Sequence, residues 1–194
     1  MAELIELEFM TEQHIAVPVL QGILGERGIS VLKMTSIDNW AWENEHHFDD
    51  LGEMVSIADE EKIVILDLSG AGHSNMGMFL KKINTEYIYS FWWDADEAQI
   101  FALESGTGSS RQILCEHILD ILETHALTYK FIAVGVEMVF SYDGDLFSTL
   151  RKTKNDFLWI LCPDTDIDLP ERYRRNHALS SPYGQIWEAT VRNF

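Results

Sequence analysis

Apolar side chains crowd most densely between Tyr87 and Leu103, in the run Y-I-Y-S-F-W-W-D-A-D-E-A-Q-I-F-A-L. Tyr87, Tyr89, Phe91 and Trp93 share one parity, while Ile88, Ser90 and Trp92 share the other, which is the period of two of a β-strand. Asp94 to Glu97 breaks the run with charge and Gln99 to Leu103 resumes it, so the stretch predicts two strands joined by a tight acidic turn. Aromatic residues at this density favour a sheet, because cross-strand pairs of such residues contribute roughly 0.2–1 kcal/mol each. The rest of the chain is expected to pack on or around this hairpin.

The same reading extends in both directions. Ile5, Leu7 and Phe9 alternate with Glu6 and Glu8, predicting a half-buried first strand with a wet acidic face. Ile15, Val19, Leu20, Ile23 and Leu24 then recur at helical spacing, with Thr11 as an N-cap or, alternatively, a start at Pro18, a residue favoured at the first helical position. Gly25 and Gly28 end that helix, and Ile29 to Met34 reads as a strand. Residues 35–50 hold no sustained period and predict a surface loop, followed by a short helix over Asp50 to Ala58. Lys62 to Leu68 is a strand closed by the turn S-G-A-G-H-S-N, while Met76 to Ile83 fits a short helix or a strand. Ser109 and Gln112 form an S-x-x-Q capping box ahead of an apolar stripe, predicting a helix near 109–125. Tyr129 to Phe140 and Asp156 to Cys162 read as strands, with a turn at Asp143-Gly144 and a helix or strand in the tail after Ser181.

Laid end to end, these elements predict an α+β fold: one compact domain over residues 1–194, built on a mostly antiparallel sheet with two main helices. A duplicated βαββ arrangement, with halves 1–83 and 84–194, would account for the order of elements. No proline-rich linker or low-complexity segment separates the halves.

Composition sharpens this picture mainly through charge. The chain has 194 residues, of which 46% are hydrophobic and 24% charged, as expected of a globular protein. Its 32 acidic residues outnumber 14 basic ones, a net charge of −18. The imbalance is concentrated in residues 1–100, with 19 acids against 5 bases. A field of that sign repels phosphate backbones and disfavours nucleic-acid binding, while suiting a basic protein, a cationic small molecule or plain solubility. The N-terminus lacks the basic and apolar regions of a signal peptide, and no segment reaches the roughly 18 apolar residues of a membrane span, so a soluble cytoplasmic location is expected. Cys115 and Cys162 lie in apolar settings and are expected as buried free thiols, or as a disulfide only if the fold brings them together.

Five places invite a chemical reading. Trp40, Trp42, Glu43, Glu45, His46, His47, Asp49 and Asp50 mix indoles, imidazoles and carboxylates. That mixture suits a metal, but adjacent histidines on a strand face opposite ways and no H-E-x-x-H spacing is present. A recognition loop fits better, since aromatics rimmed by charge mark interfaces; burial of both indoles is the alternative. Ser69 to Ser74, including His73, is a glycine turn without the G-x-S-x-G of a nucleophile elbow. Gly106 to Ser110 precedes a helix, yet neither the P-loop nor the G-x-G-x-x-G pattern is complete. Glu137 interrupts an apolar strand, facing either solvent or a cationic ligand. The run Arg172, Arg174, Arg175 reads as a solvated face or a partner for the Asp164, Asp166 and Asp168 loop.

With no catalytic constellation, no metal set and no cofactor motif, the sequence predicts a non-enzymatic acidic binding protein. The most concrete form is a bacterial immunity protein or inhibitor that neutralises a basic partner such as a toxin nuclease. Its expected contacts are Trp40, Trp42, Glu43, Glu45, Asp49 and Asp50, then Asp94, Asp96 and Glu97. The alternative is a sensor of a cationic small molecule, with Tyr87, Tyr89, Trp92, Trp93 and Glu137 around the ligand. A metal-dependent hydrolase using His46, His47, Asp49 and His73 is the weakest reading.

Overall fold

A computed structural model of the chain describes residues 3–26, 28–70, 73–95, 129–136, 159–162, 173–175 and 185–189. Ten strands lie in these segments: β1 (Glu3–Thr11), β2 (Ser30–Ile37), β3 (His46–His47), β4 (Ile63–Gly70), β5 (His73–Ile83), β6 (Glu86–Ala95), β7 (Tyr129–Val136), β8 (Trp159–Cys162), β9 (Tyr173–Arg175) and β10 (Gln185–Ala189). Two α-helices, α1 (Val17–Glu26) and α2 (Met54–Asp59), accompany them, with a single 3-10 turn at Leu51–Glu53. The strands form one sheet in the order β3-β2-β4-β5-β6-β1-β7-β8-β10-β9, and every pairing is antiparallel. The α+β class and the mostly antiparallel sheet are as expected.

The first strand sits in the middle. β1 pairs with β6 on one side and β7 on the other, so that Leu7 lies between Phe91 and Val134. One face of the sheet carries Ile5, Leu7 and Phe9 of β1, Val64, Leu66 and Leu68 of β4, Met76, Met78 and Leu80 of β5, Tyr87 and Tyr89 of β6, and Ile132 and Val134 of β7. Leu20 and Leu24 of α1 and Met54 and Ala58 of α2 close over these residues in a single core. The helices are short because their work is local: each supplies a few apolar side chains at helical spacing to one side of the sheet.

α1 begins at Val17 with Pro18 in its first turn, where the missing N–H costs nothing. The helix runs through Gly25 and ends in a Schellman motif, with Ile29 N–H donating to Leu24 O (2.9 Å) and Gly28 N–H to Gly25 O (3.0 Å). Gly28 takes φ 65°, which the motif requires. In the 3-10 turn, Asp50 accepts a hydrogen bond from Gly52 N–H at 2.7 Å and so starts the helical segment predicted there.

Several boundaries differ from the sequence expectation. β2 continues three residues past Met34 to Ile37, because Thr35, Ser36 and Ile37 are buried against β4. Residues 35–50 are therefore not all loop, and His46–His47 adds a two-residue edge strand beside Thr35 and Ser36. Met76 to Ile83 is strand, part of β5, since its alternating side chains feed both faces of a central position. β6 runs through Asp94 to Ala95 instead of turning at Asp94, because Asp94 pairs with Leu4 in the ladder. The tail contains a strand at Gln185–Ala189. The predicted helix at 109–125, the returning strand at 99–103, the 106–110 and 143–144 turns, the 164–168 acidic loop, Cys115 and Glu137 lie outside the described residues. Among those described, no helix is long and apolar enough to cross a membrane.

Candidate functional site

The predicted recognition loop occupies the connection from β2 to β3. Trp40 and Trp42 are 43% and 54% exposed, and Glu43, Glu45, His46, His47, Asp49 and Asp50 are exposed with them. The loop is tied within itself. Asn39 Nδ2 donates to Glu43 Oε2 (2.6 Å), Asn44 Nδ2 to Asp38 Oδ2 (2.6 Å), Ala41 N–H to Asn39 Oδ1 (2.9 Å), and Asp38 N–H to Glu43 O (3.0 Å). Trp42 and Asn44 both sit in the left-handed region, at φ 60° and 53°. For Asn that conformation is common; for Trp it costs roughly 1–2 kcal/mol, and the loop's hydrogen bonds hold it there. Glu45 lies 3.2 Å from Lys33 Nζ and 3.6 Å from His47 Nε2.

The other expected contacts fall elsewhere. Asp94 accepts from Asn75 Nδ2 at 2.9 Å near the far end of β6. The loop leaves the sheet after Ile37, which pairs with Ile63 one row from Val64, Leu80 and Tyr89, so Asp94 stands roughly 20 Å further along β6. The structure does not bring the two acidic groups together. Asp96 and Glu97 lie outside the described residues. His73 opens β5 on a different strand from His46 and His47, and no group of three or more His, Cys, Asp or Glu side chains among the described residues is placed to hold a metal. Arg174 and Arg175 lie in β9 at the sheet's far edge, paired with Glu188 and Trp187.

The aromatic set proposed for a cationic ligand is split by the sheet. Tyr87, Tyr89 and Trp93 join the helix-covered core, whereas Trp92 faces the opposite side. The tyrosine hydroxyls are committed to structure. Tyr89 accepts the Ile15 N–H at 2.7 Å, and Tyr87 donates to Asp59 Oδ1 at 2.7 Å. Lys82 Nζ reaches the same Asp59 oxygen at 2.7 Å and lies 5.3 Å from the Tyr87 ring centroid. Burial pushes the Tyr89 hydroxyl well above the ordinary tyrosine range, while hydrogen bonds from Lys82 and Tyr87 hold Asp59 below the usual carboxylate value.

The face opposite the helices holds a group that the sequence reading placed in water. Glu8 is fully buried and Glu6 nearly so. In the ladder, Glu8 lies between Ser90 and Ala133, and Glu6 between Trp92 and Gly135. Neither carboxylate oxygen of Glu8, nor Ser90 Oγ, nor Trp92 Nε1 has a hydrogen-bond partner among the described residues. Loss of hydration, and secondarily the charge of Glu6, raise the Glu8 carboxyl well above its ordinary value. The Trp92 indole lies over Gly77, where an added Cβ would overlap the ring, so glycine is what lets Trp92 lie down.

From Trp92 an aromatic run leads outward. The Trp92 and Phe79 ring centroids are 6.2 Å apart, and Phe79 and Trp40 meet edge to face at 5.1 Å. The exposed loop and the buried carboxylates are thus two ends of one apolar surface. Its inner end was legible, in hindsight, from one signal: β6 is apolar on both parities (Ile88 and Trp92 as well as Tyr87 and Tyr89), and a strand paired with such a two-sided strand has no wet face. Comparisons of the chain with protein-family models, curated proteins and solved structures returned no match.

Proposed function

We propose that this chain is a non-enzymatic acidic binding protein that neutralises a basic protein partner by docking onto it, in the manner of an immunity protein or another inhibitor of a toxin enzyme such as a nuclease. The observation that supports this most is Trp42, exposed and held in a left-handed conformation by a loop whose own hydrogen bonds fix its shape. A pre-shaped aromatic anchor loses little entropy on binding, and surrounding acids steer a basic partner to it. Glu43, Glu45, Asp49 and Asp50 are the nearby charges. Asp49 is the cleanest probe, because Asp50 also caps the 3-10 turn and Glu43 also braces the loop. Affinity capture at low salt, followed by association kinetics on the captured basic protein, tests the reading. Asp49→Lys is expected to slow association several-fold at low salt with the thermal transition unchanged. An unaltered on-rate would remove the loop from the interface.

A sensor of a cationic small molecule is the second reading. It is favoured by a different observation, the buried Glu8 carboxyl beside Trp92. A duplicated βαββ ancestry belongs with this reading.

A further inference from the structure

We propose that Glu8, together with Glu6, Ser90 and Trp92, forms a binding site for a small organic cation that carries N–H donors on a flat apolar body. The inference rests on the small-molecule reading; of the docking loop it uses only Trp40, at the outer end of the aromatic run.

Four observations converge. First, Glu8 carries two acceptor oxygens with no hydrogen-bond partner among the described residues, at the centre of the sheet. Buried polar groups are ordinarily paired, and those that are not call for an explanation, of which an absent ligand is one. Second, the groups cluster: Ser90 is directly across from Glu8, Trp92 directly across from Glu6, and the two glutamates are two residues apart on the same face, about 7 Å. Third, the surrounding charges favour a cation. β7 presents Ala133 and Gly135, β6 presents Ser90 and Trp92 with Asp94 beyond, and β5 presents Phe79 and Gly77. Lys81 stands two strands away and one row along, while Asp67 on β4 is the next charge past Gly77. Among the described residues Glu6 is therefore the nearest charge, and it is negative.

Fourth, the aromatic run supplies a wall. Trp92 and Phe79 are half-buried and Trp40 is exposed, so ring faces continue from the carboxylates to the surface. Flat cations stack well on indole, the strongest aromatic partner for positive charge. An amidinium or guanidinium offers paired N–H donors that match a carboxylate in two bonds.

Burial, with the charge of Glu6, favours the protonated form of Glu8. When the cation enters, its N–H groups take the place of the acid proton, the carboxylate forms, and one proton leaves to solvent. Binding is therefore linked to pH: affinity rises about tenfold per pH unit, up to the pH at which Glu8 ionises unaided.

The probe is benzamidinium chloride, tested by thermal shift and by calorimetry in two buffers of different ionisation enthalpy. For the wild-type chain a raised Tm and the release of one proton per benzamidinium are expected. For Glu8→Gln, which keeps the shape and loses the titrating group, binding at least tenfold weaker and no proton release are expected. Tetraphenylphosphonium, a cation without N–H, is expected to bind the wild type at least tenfold more weakly than benzamidinium. If benzamidinium binds both chains alike, this site falls while the small-molecule reading stands. If it binds neither, both fall. If the two cations bind equally, the donor requirement is wrong and the carboxyl of Glu8 is not what reads the ligand.

Discussion

Along β1, Ile5, Leu7 and Phe9 point to the side covered by α1 and α2, Glu6 and Glu8 point to the other, and all five are buried. The two sides treat their polar groups differently. On the helix side Tyr89 has the Ile15 amide and Tyr87 has Asp59 and, through it, Lys82. On the other side Glu8, Ser90 and Trp92 Nε1 are without hydrogen-bond partners among the described residues. A buried neutral hydrogen bond contributes about 1 kcal/mol net, whereas a buried polar atom without one costs about 1–3 kcal/mol. One side of the sheet is built for stability; the other gives some of it up.

This contrast can be broken most severely from the helix side. Leu7→Ala removes a side chain in the middle of the core, with Phe91 and Val134 on either hand, and should destabilise the chain by about 2–5 kcal/mol in urea unfolding.

Glu8→Gln should have the opposite sign. A carboxyl raised on folding binds its proton more tightly in the folded state than in the unfolded one. Its contribution is most favourable below the unfolded value of about 4.5 and is lost as pH rises toward the folded value. Wild-type stability should therefore fall by about 1.4 kcal/mol per pH unit across that window through this residue alone, and the glutamine variant should not follow it. Urea midpoints measured from pH 4 to pH 8 would show the two curves diverging upward in pH; parallel curves would mean that Glu8 is ionised in the fold.

Tyr89→Phe is the smallest change and sharpens the comparison. It leaves the Ile15 amide buried without its acceptor and should cost about 1–2 kcal/mol at any pH below the tyrosine range. A pH-independent loss on the helix side beside a pH-dependent gain on the other would establish that the two sides differ in ionisation and not merely in packing.

How much of this was legible in the chain depends on how local the determinant is. The parity of β6, the helix over Leu20 and Leu24, and the exposed loop with Trp40 and Trp42 all follow from periodicity and turn chemistry. Glu6 and Glu8 were misplaced because alternation tells which residues share a side, not whether that side is wet. That is decided by pairing with Ser90, Trp92, Ala133 and Gly135, residues more than 80 positions away in the chain. The split of Tyr87, Tyr89 and Trp93 from Trp92 was present in the parity itself, yet grouping them as one ligand set treated aromatic density as if it were proximity. The separation of Asp94 from the loop was not legible, since it follows from strand order and register.

The central position of β1 has a further consequence, for synthesis. The ribosome makes this strand well before its neighbours, which emerge only after some 80 and 120 further residues. Contacts of such long sequence separation form slowly, and until they form the nascent strand carries two unpaired edges. An uninterrupted apolar strand in that position would invite pairing with other chains. Glu6 and Glu8, charged near neutral pH while the segment is still in water, act as gatekeepers during that wait. The same two side chains that burden the finished fold would thus guard the unfinished one.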